Sequence, residues 1–243
     1  MNKKMKCVVR LANLMSEPSH KSELRTQLWR NDNVELLEEN DTWLLIKNKF
    51  NGTEGWALRS QFVEIDQEAY SINSLLISFM HKNISFEQFI PGTFHDEQAD
   101  ETHGLVALHS IERDENTMRN ILFHFLETPY MWGGVTTNGI DCSGLSQVFF
   151  RFYAIPLTSF AAEQFKQGEV LDFIQDARIG DLAFFDDNDG FISHVGVMLN
   201  ANEIIHASEK AGKVVIDLID HEGIISRQSG KRTHSLRVIK RYL

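Results

Sequence analysis

The sequence predicts an α+β protein in two parts: a small N-terminal β-barrel, then a region of helices followed by antiparallel strands. Three observations predict it. Residues 6 to 65 read as short β-rich runs divided by turn residues, the spacing of a small barrel. From Glu115 apolar residues recur at helical spacing. From about residue 181 strand-length apolar runs follow one another to residue 242, and a helix pair ahead of such a run is an α+β layout.

Within the first part, VELLEE (34–39) and WLLIKN (43–48) are strands, with NDT (40–42) as the turn between them. NGTEGWA (51–57) is a second turn, with a strand leaving it through Trp56. SLLISFM (74–80) reads as a strand or a helical turn, because its apolar run is too short for its period to decide. The acidic stretch 92–104 reads as a loop or linker. The resulting division is a barrel over 1–66, an extension or linker over 67–113, and a second domain over 114–243.

In that second domain, Met118, Ile121, Leu122 and Phe125 mark an amphipathic helix that stops near Thr128 and Pro129. A second helix is expected from about Ser143 to Tyr153. The strands are DLAFF (181–185), HVGVML (194–199), EIIHA (203–207), KVVID (213–217) and LRVIKRY (236–242). Charges alternating with apolar residues in the last of these predict an edge strand.

Composition narrows the function classes. A formal net charge of −10 leaves no basic surplus to neutralise phosphates, which argues against nucleic acid or an acidic membrane as partner. It favours a substrate carrying an amine. Arg10 interrupts the apolar segment near the N-terminus after three residues, so no secretory leader is expected there, and no run approaches a membrane span. Cys7 and Cys142 are the chain's two cysteines, and one bridge is no framework for a protein of this size. A cytoplasmic protein with reduced thiols is the expectation.

Cys142 sits in NGIDCSGLSQ, just past a glycine-rich loop and at the start of a predicted helix. Unpaired N–H groups and the positive end of the helix dipole favour a thiolate there and supply donors for an oxyanion. Local sequence alone leaves two readings: a nucleophile, or a small buried side chain at a helix start. A nucleophile needs a base and a group to orient that base. His194 opens one strand and His206 closes the next, with the turn NANE between them, so a hairpin would set both on neighbouring strands.

Two resemblances follow from these residues. SEPSHKSELRTQLWRNDNVELLEENDTWLLIKNKFNGTEGWALRSQF (16–62) resembles a bacterial SH3-like domain, in which a turn and a glycine–tryptophan pair close a five-stranded barrel. PYMWGGVTTNGIDCSGL, GDLAFF and SHVGVMLNANEIIHAS occur in order, and together resemble the NlpC-type cell-wall peptidases of the papain-like superfamily. The resemblance covers roughly residues 115 to 243. It implies a papain-like catalytic domain with an antiparallel sheet, and a cysteine peptidase with Cys142 as nucleophile, His194 as general base and His206 as the residue orienting it. Tyr130 matches a tyrosine lining the site beside the nucleophile, or is a packed loop aromatic. The implied chemistry is acyl transfer to the thiol, with a thioester hydrolysed by water.

The pairing of the two domains resembles the murein-recycling γ-D-glutamyl-L-diamino acid endopeptidases. That subgroup implies a short murein peptide with a free N-terminal amine as partner, and no cofactor or metal. Asp141-Cys142-Ser143 matches a triplet that grips the amine there, although aspartate at this position also suits an N-cap. A carboxylate beside the nucleophile opposes thiolate formation unless it points away or holds a cation. The barrel of the subgroup contributes an acidic residue, usually Glu, and a Tyr; this chain has Asp32 and Thr53 at those places. Over 157–164 the subgroup has an arginine–aspartate pair and a serine, and here Ser159 stands nearby. Intact catalytic residues beside altered substrate contacts predict amide cleavage with a changed preference at the substrate's N-terminal end.

Other signals lead nowhere. DDNDG (186–190) would need an acidic residue where Phe185 stands to form a calcium loop, so it reads as a hairpin turn. The His and Cys positions lack zinc spacing. Two alternatives to the peptidase stay open: a binding module that has lost catalysis, and a cysteine amidase or acyltransferase using the same triad.

Overall fold

The computed structural model describes residues 3–66, 76–78, 93–95 and 105–243. The chain divides into two compact units. The first takes Met1–Ile111 with Phe150–Pro156, and the second takes Glu112–Phe149 with Leu157–Leu243.

The first unit holds the SH3-like barrel. Its strands are β1 (Lys4–Cys7), β2 (Leu11–Met15), β3 (Leu24–Trp29), β4 (Asn33–Glu39), β5 (Trp43–Asn48), β6 (Glu54–Leu58) and β7 (Phe62–Glu64). They form one antiparallel sheet in the order β3-β2-β6-β5-β4-β1-β7. The NDT turn works as its chemistry requires: Asn40 Oδ1 accepts from the N–H groups of Thr42 at 3.0 Å and Trp43 at 2.7 Å. Gly55 of the glycine–tryptophan pair is there for close approach, since a Cβ would lie 2.7 Å from Leu14 Cγ and 2.9 Å from the Met15 carbonyl. Alternate residues of the strands fill a core that includes Leu14, Leu28, Val34, Leu44, Ile46 and Phe62. Cys7 is part of that core and fully buried. β8 (Leu76–Ser78), β9 (Phe94–His95) and β10 (Leu105–Ala107) make a three-stranded sheet. SLLISFM therefore contributes a strand at 76–78. The rest of that run, and most of 92–104, lies outside the described residues.

The second unit begins with α1 (Glu115–Phe123), capped by Asp114, whose carboxylate accepts from Asn116 and Thr117 N–H. The helix ends several residues before Thr128. Residues 124–127 turn instead, with Glu127 in the left-handed region at φ 65°, while Phe125 stays buried beyond the helix end. The hairpin of β11 (Val135–Thr136) and β12 (Gly139–Ile140) leads into α2 (Cys142–Arg151). This helix starts one residue earlier than its periodicity predicts. It also stops sooner, because the Tyr153 N–H bonds to Phe150 O and Ala154 turns left-handed at φ 57°. α3 (Ala161–Gln164) is short.

A seven-stranded antiparallel sheet follows. It comprises β13 (Glu169–Leu171), β14 (Leu182–Asp186), β15 (Ile192–Asn200), β16 (Glu203–Ser208), β17 (Lys213–Asp220), β18 (Gly223–Ile225) and β19 (Arg232–Arg241), in the order β13-β19-β14-β15-β16-β17-β18. DDNDG is the hairpin turn between β14 and β15, with Gly190 at φ 83°. NANE joins β15 to β16 with Asn200 opposite Glu203, so the predicted hairpin forms. The expected edge strand does not: β19 pairs with β13 and β14, and also with β18. Its charges mislead because they find partners inside the sheet's surroundings. The ammonium of Lys240 donates to the carbonyls of Phe165 at 2.6 Å and Gln167 at 3.0 Å, while neighbouring Ile239 joins the core.

Candidate active site

The glycines around Cys142 allow backbone to lie on backbone. A Cβ on Gly144 would stand 2.1 Å from the Gly134 carbonyl, and one on Gly134 2.4 Å from that of Gly139. Only residues without side chains allow the loop, the β11–β12 hairpin and the first turn of α2 to meet so closely. Cys142 is the first residue of α2 and is 8% exposed.

Asp141 is the N-cap. Its Oδ1 accepts from the Gly144 N–H at 2.6 Å and the Ser143 hydroxyl at 3.0 Å, and its Oδ2 accepts from the Gly133 N–H at 2.6 Å. The carboxylate thus faces three donors of its own chain rather than solvent. The Ser143 hydroxyl also donates to the Ser159 carbonyl at 2.7 Å, which ties the 157–164 segment to the helix that Cys142 starts.

Burial, and then the Asp141 charge, push the Cys142 thiol up to about 12. The N–H groups of Val195, Ser143 and Cys142 itself act on the sulfur in the opposite direction without overcoming them. The helix start therefore does not make a resting thiolate, contrary to what its dipole alone predicts, because desolvation is the larger effect. The Val195 contact places the sulfur against the strand residue next to His194.

The hairpin sets the histidines in line. His194 Nε2 lies 2.9 Å from His206 Nδ1, and His206 Nε2 lies 3.2 Å from Asp217 Oδ2. All three residues are buried. Engagement of Nε2 by His206 leaves Nδ1 as the other ring nitrogen of His194. Burial holds His194 well below the ordinary histidine value, reinforced by the nearby His206, His234 and Lys210. His234 stacks on His194 with ring centroids 4.2 Å apart and planes 19° from parallel.

Sequence reading passed over Asp217 and His234. Asp217 had a faint signal: an acidic residue in an apolar strand, two positions beyond the residue opposite His206 and so on its face. His234 had none, since its place depends on β19 entering the sheet.

Tyr130 is half-buried, and its hydroxyl is pushed upward by burial first and then by the nearby Cys142 and Asp141. Asp32 and Thr53 belong to the first unit. Asp32 is 2% exposed, its Oδ1 ion-paired with Arg151 and its Oδ2 accepting the Trp29 N–H at 3.1 Å. The Arg151 guanidinium lies over the rings of Phe94 and Trp29, at 3.8 and 4.4 Å from their centroids. The carboxylate is thereby committed to the unit's interior. Thr53 is buried, and its hydroxyl has no hydrogen-bond partner among the described residues.

Residues 127–233 match the family model described as the NlpC/P60 family. The chain is 34% identical over 106 residues to a γ-D-glutamyl-L-lysine dipeptidyl-peptidase of Bacillus subtilis, a match covering 43% of this chain and 35% of that protein. A Bacillus cereus protein of the same name is matched over 33% of its length, so the chain spans about a third of these two relatives. It is also 24% identical to dipeptidyl-peptidase 6 of Lysinibacillus sphaericus, over 91% of this chain and 93% of that one. Among solved structures, an NlpC/P60 family protein from Bacillus cereus superposes with a TM-score of 0.79, at 18% identity and 99% coverage of both chains.

Proposed function

We propose that this chain, whose residues 127–233 match the NlpC/P60 family model and which carries an SH3-like barrel, is a cysteine-type endopeptidase that hydrolyses an amide bond in short murein peptides. The bond proposed is that between γ-D-glutamate and the diamino acid. The name borne by the two Bacillus relatives, γ-D-glutamyl-L-lysine dipeptidyl-peptidase, supports that choice.

One observation carries the reading: the Cys142 thiol starts a helix against the Val195 N–H, next to a histidine whose far nitrogen is held 2.9 Å from a second histidine. A thiol pushed up and an imidazole pushed down make an uncharged resting pair. The proton therefore moves as the bond forms. His194 Nδ1 takes it from the sulfur, the sulfur attacks the amide carbon, and the oxyanion develops against N–H groups at the start of α2. The imidazolium then protonates the leaving amine, and water attacks the thioester with His194 again as base. Tyr130, near enough to Cys142 to feel its charge, would line the substrate's path.

The test compares wild type and Cys142→Ser on L-Ala-γ-D-Glu-diaminopimelate and on a longer stem peptide, with products identified by mass spectrometry. Wild type is expected to release the dipeptide and the serine variant none. No cleavage of either peptide by wild type overturns the substrate, and equal cleavage by the variant overturns the nucleophile. Replacing His194 by alanine should cost roughly 100- to 10,000-fold, the range for a general base.

A further inference from the structure

The geometry points to Asp217 as a positioning residue that sets the proton arrangement of both histidines, and so decides which nitrogen of His194 is basic. This rests on the peptidase reading above for its catalytic consequence, but not for its structural one.

His206 stands opposite Val215 in the β16–β17 pairing, and Asp217 lies two residues on along the same face. Its two oxygens have separate tasks. Oδ1 accepts the Arg227 N–H at 2.8 Å, which fixes the carboxylate, and Oδ2 meets His206 Nε2 at 3.2 Å. An ionised carboxylate only accepts, so His206 Nε2 must carry a hydrogen. A neutral His206 then has a lone pair on Nδ1. His194 Nε2, 2.9 Å away, must be the donor, and His194 Nδ1 is left with the lone pair. That nitrogen is the one free to take the thiol proton. Reversing the tautomer of His206 reverses the whole row, putting a hydrogen on His194 Nδ1 and leaving the thiol without a base.

The proton balance is simple. In the acylation step one proton passes from Cys142 Sγ to His194 Nδ1. The hydrogens on His194 Nε2 and His206 Nε2 stay where they are, and Asp217 stays ionised, so the new positive charge is shared along a row that ends in a carboxylate. The groups that face Asp217 are His206 from β16, Arg227 from the turn before β19, and Lys210, which lines a cavity of about 210 Å³ together with Asp217, Ser208 and Thr233. His234 is the further titratable ring whose protonation Asp217 favours.

The test uses the full chain with Asp217→Asn and Asp217→Ala. The asparagine amide can donate to His206 Nε2 and so favours the wrong tautomer. It should lower kcat by about 100-fold or more with KM little changed, the pattern for a misoriented base. In Asp217→Ala the neighbouring cavity gives formate a route to the vacated place, and added formate should restore part of kcat. Nitrogen-15 NMR of the imidazoles, read without substrate, should give Nε2–H for both His206 and His194 in wild type and Nδ1–H for His206 in Asp217→Asn. A wild-type His206 protonated at Nδ1 overturns the proposal, as does an asparagine variant whose kcat stays within about twofold. If the asparagine variant fails to fold, the wild-type NMR decides alone. If wild type cleaves no murein peptide, the peptidase reading fails while the NMR result still judges Asp217.

Discussion

The rings of His194 and His234 lie face to face, 4.2 Å apart and nearly parallel, with Phe185 beside both. A stack this close fixes the plane of the His194 ring, and so the direction in which its nitrogens point. It also penalises the form in which both rings are charged. Burial, with His206 and Lys210 nearby, holds His234 down to about 4, so it is neutral wherever His194 works as a base.

His234→Phe should therefore retain most of the activity, because it preserves the stack. His234→Ala opens one face of the base and should reduce kcat by about tenfold or more, since small misplacements of catalytic groups are expensive. Steady-state kinetics on the two variants checks this. Equal loss in both would mean that the ring's nitrogens, not its face, matter.

Stability should fall as the solution is acidified from about pH 6.5 toward about 4. His194 and His234 have folded values below their unfolded one, so in that window the unfolded chain binds more protons and is favoured. At pH values above the unfolded value neither histidine contributes to the slope. Thermal melts across the window test it, and His234→Phe should show a shallower decline than wild type.

The thiols should be slow to alkylate. With Cys142 pushed up to about 12, iodoacetamide labelling near neutral pH is expected to be sluggish, rising by about tenfold per pH unit as the thiolate fraction grows. Cys7, equally raised and fully buried, should stay unlabelled in the folded protein. Intact-mass spectrometry with peptide mapping separates the two. Rapid labelling of Cys142 at neutral pH would mean a resting thiolate.

Breaking the pair inside the first unit should be costly. Asp32→Ala leaves the Arg151 guanidinium buried without its carboxylate, a change worth about 3–5 kcal/mol. Denaturant unfolding measures it. Replacing both residues by apolar ones of similar volume should recover much of the loss, because no charge is then stranded.

The engaged state of Asp32 and Asp141 bears on specificity. With both carboxylates already bonded within the chain, acetylating the substrate's amine should change kcat/KM by no more than about tenfold. A much larger loss would mean that one of them turns to the substrate.

Periodicity and turn chemistry made much of this fold legible. WLLIKN became β5 without a residue's change, and NDT and NANE became the turns their residues demand. The meeting of His194 and His206 was legible because the NANE turn between two apolar runs predicts the hairpin that pairs their strands. Three things were not. The place of β19 depends on pairings with strands distant in the chain, which no local pattern encodes. Asp217 needed the register of β17 against β16 before its parity meant anything. Asp32 needed Arg151, 119 residues away, to turn from a surface acid into a buried one.

The insertion of β19 between β13 and β14 also sets an order of events. During synthesis every other strand of that sheet exists before the one that joins β13 to β14. Until residues 232–241 arrive, β13 has no partner, β14 has a bare edge, and the His194 ring lacks the His234 face it stacks on. Cys142, His194 and His206 are thus all made earlier than the strand that completes their surroundings. The closure that completes them joins sequence-distant segments and is correspondingly slow to form.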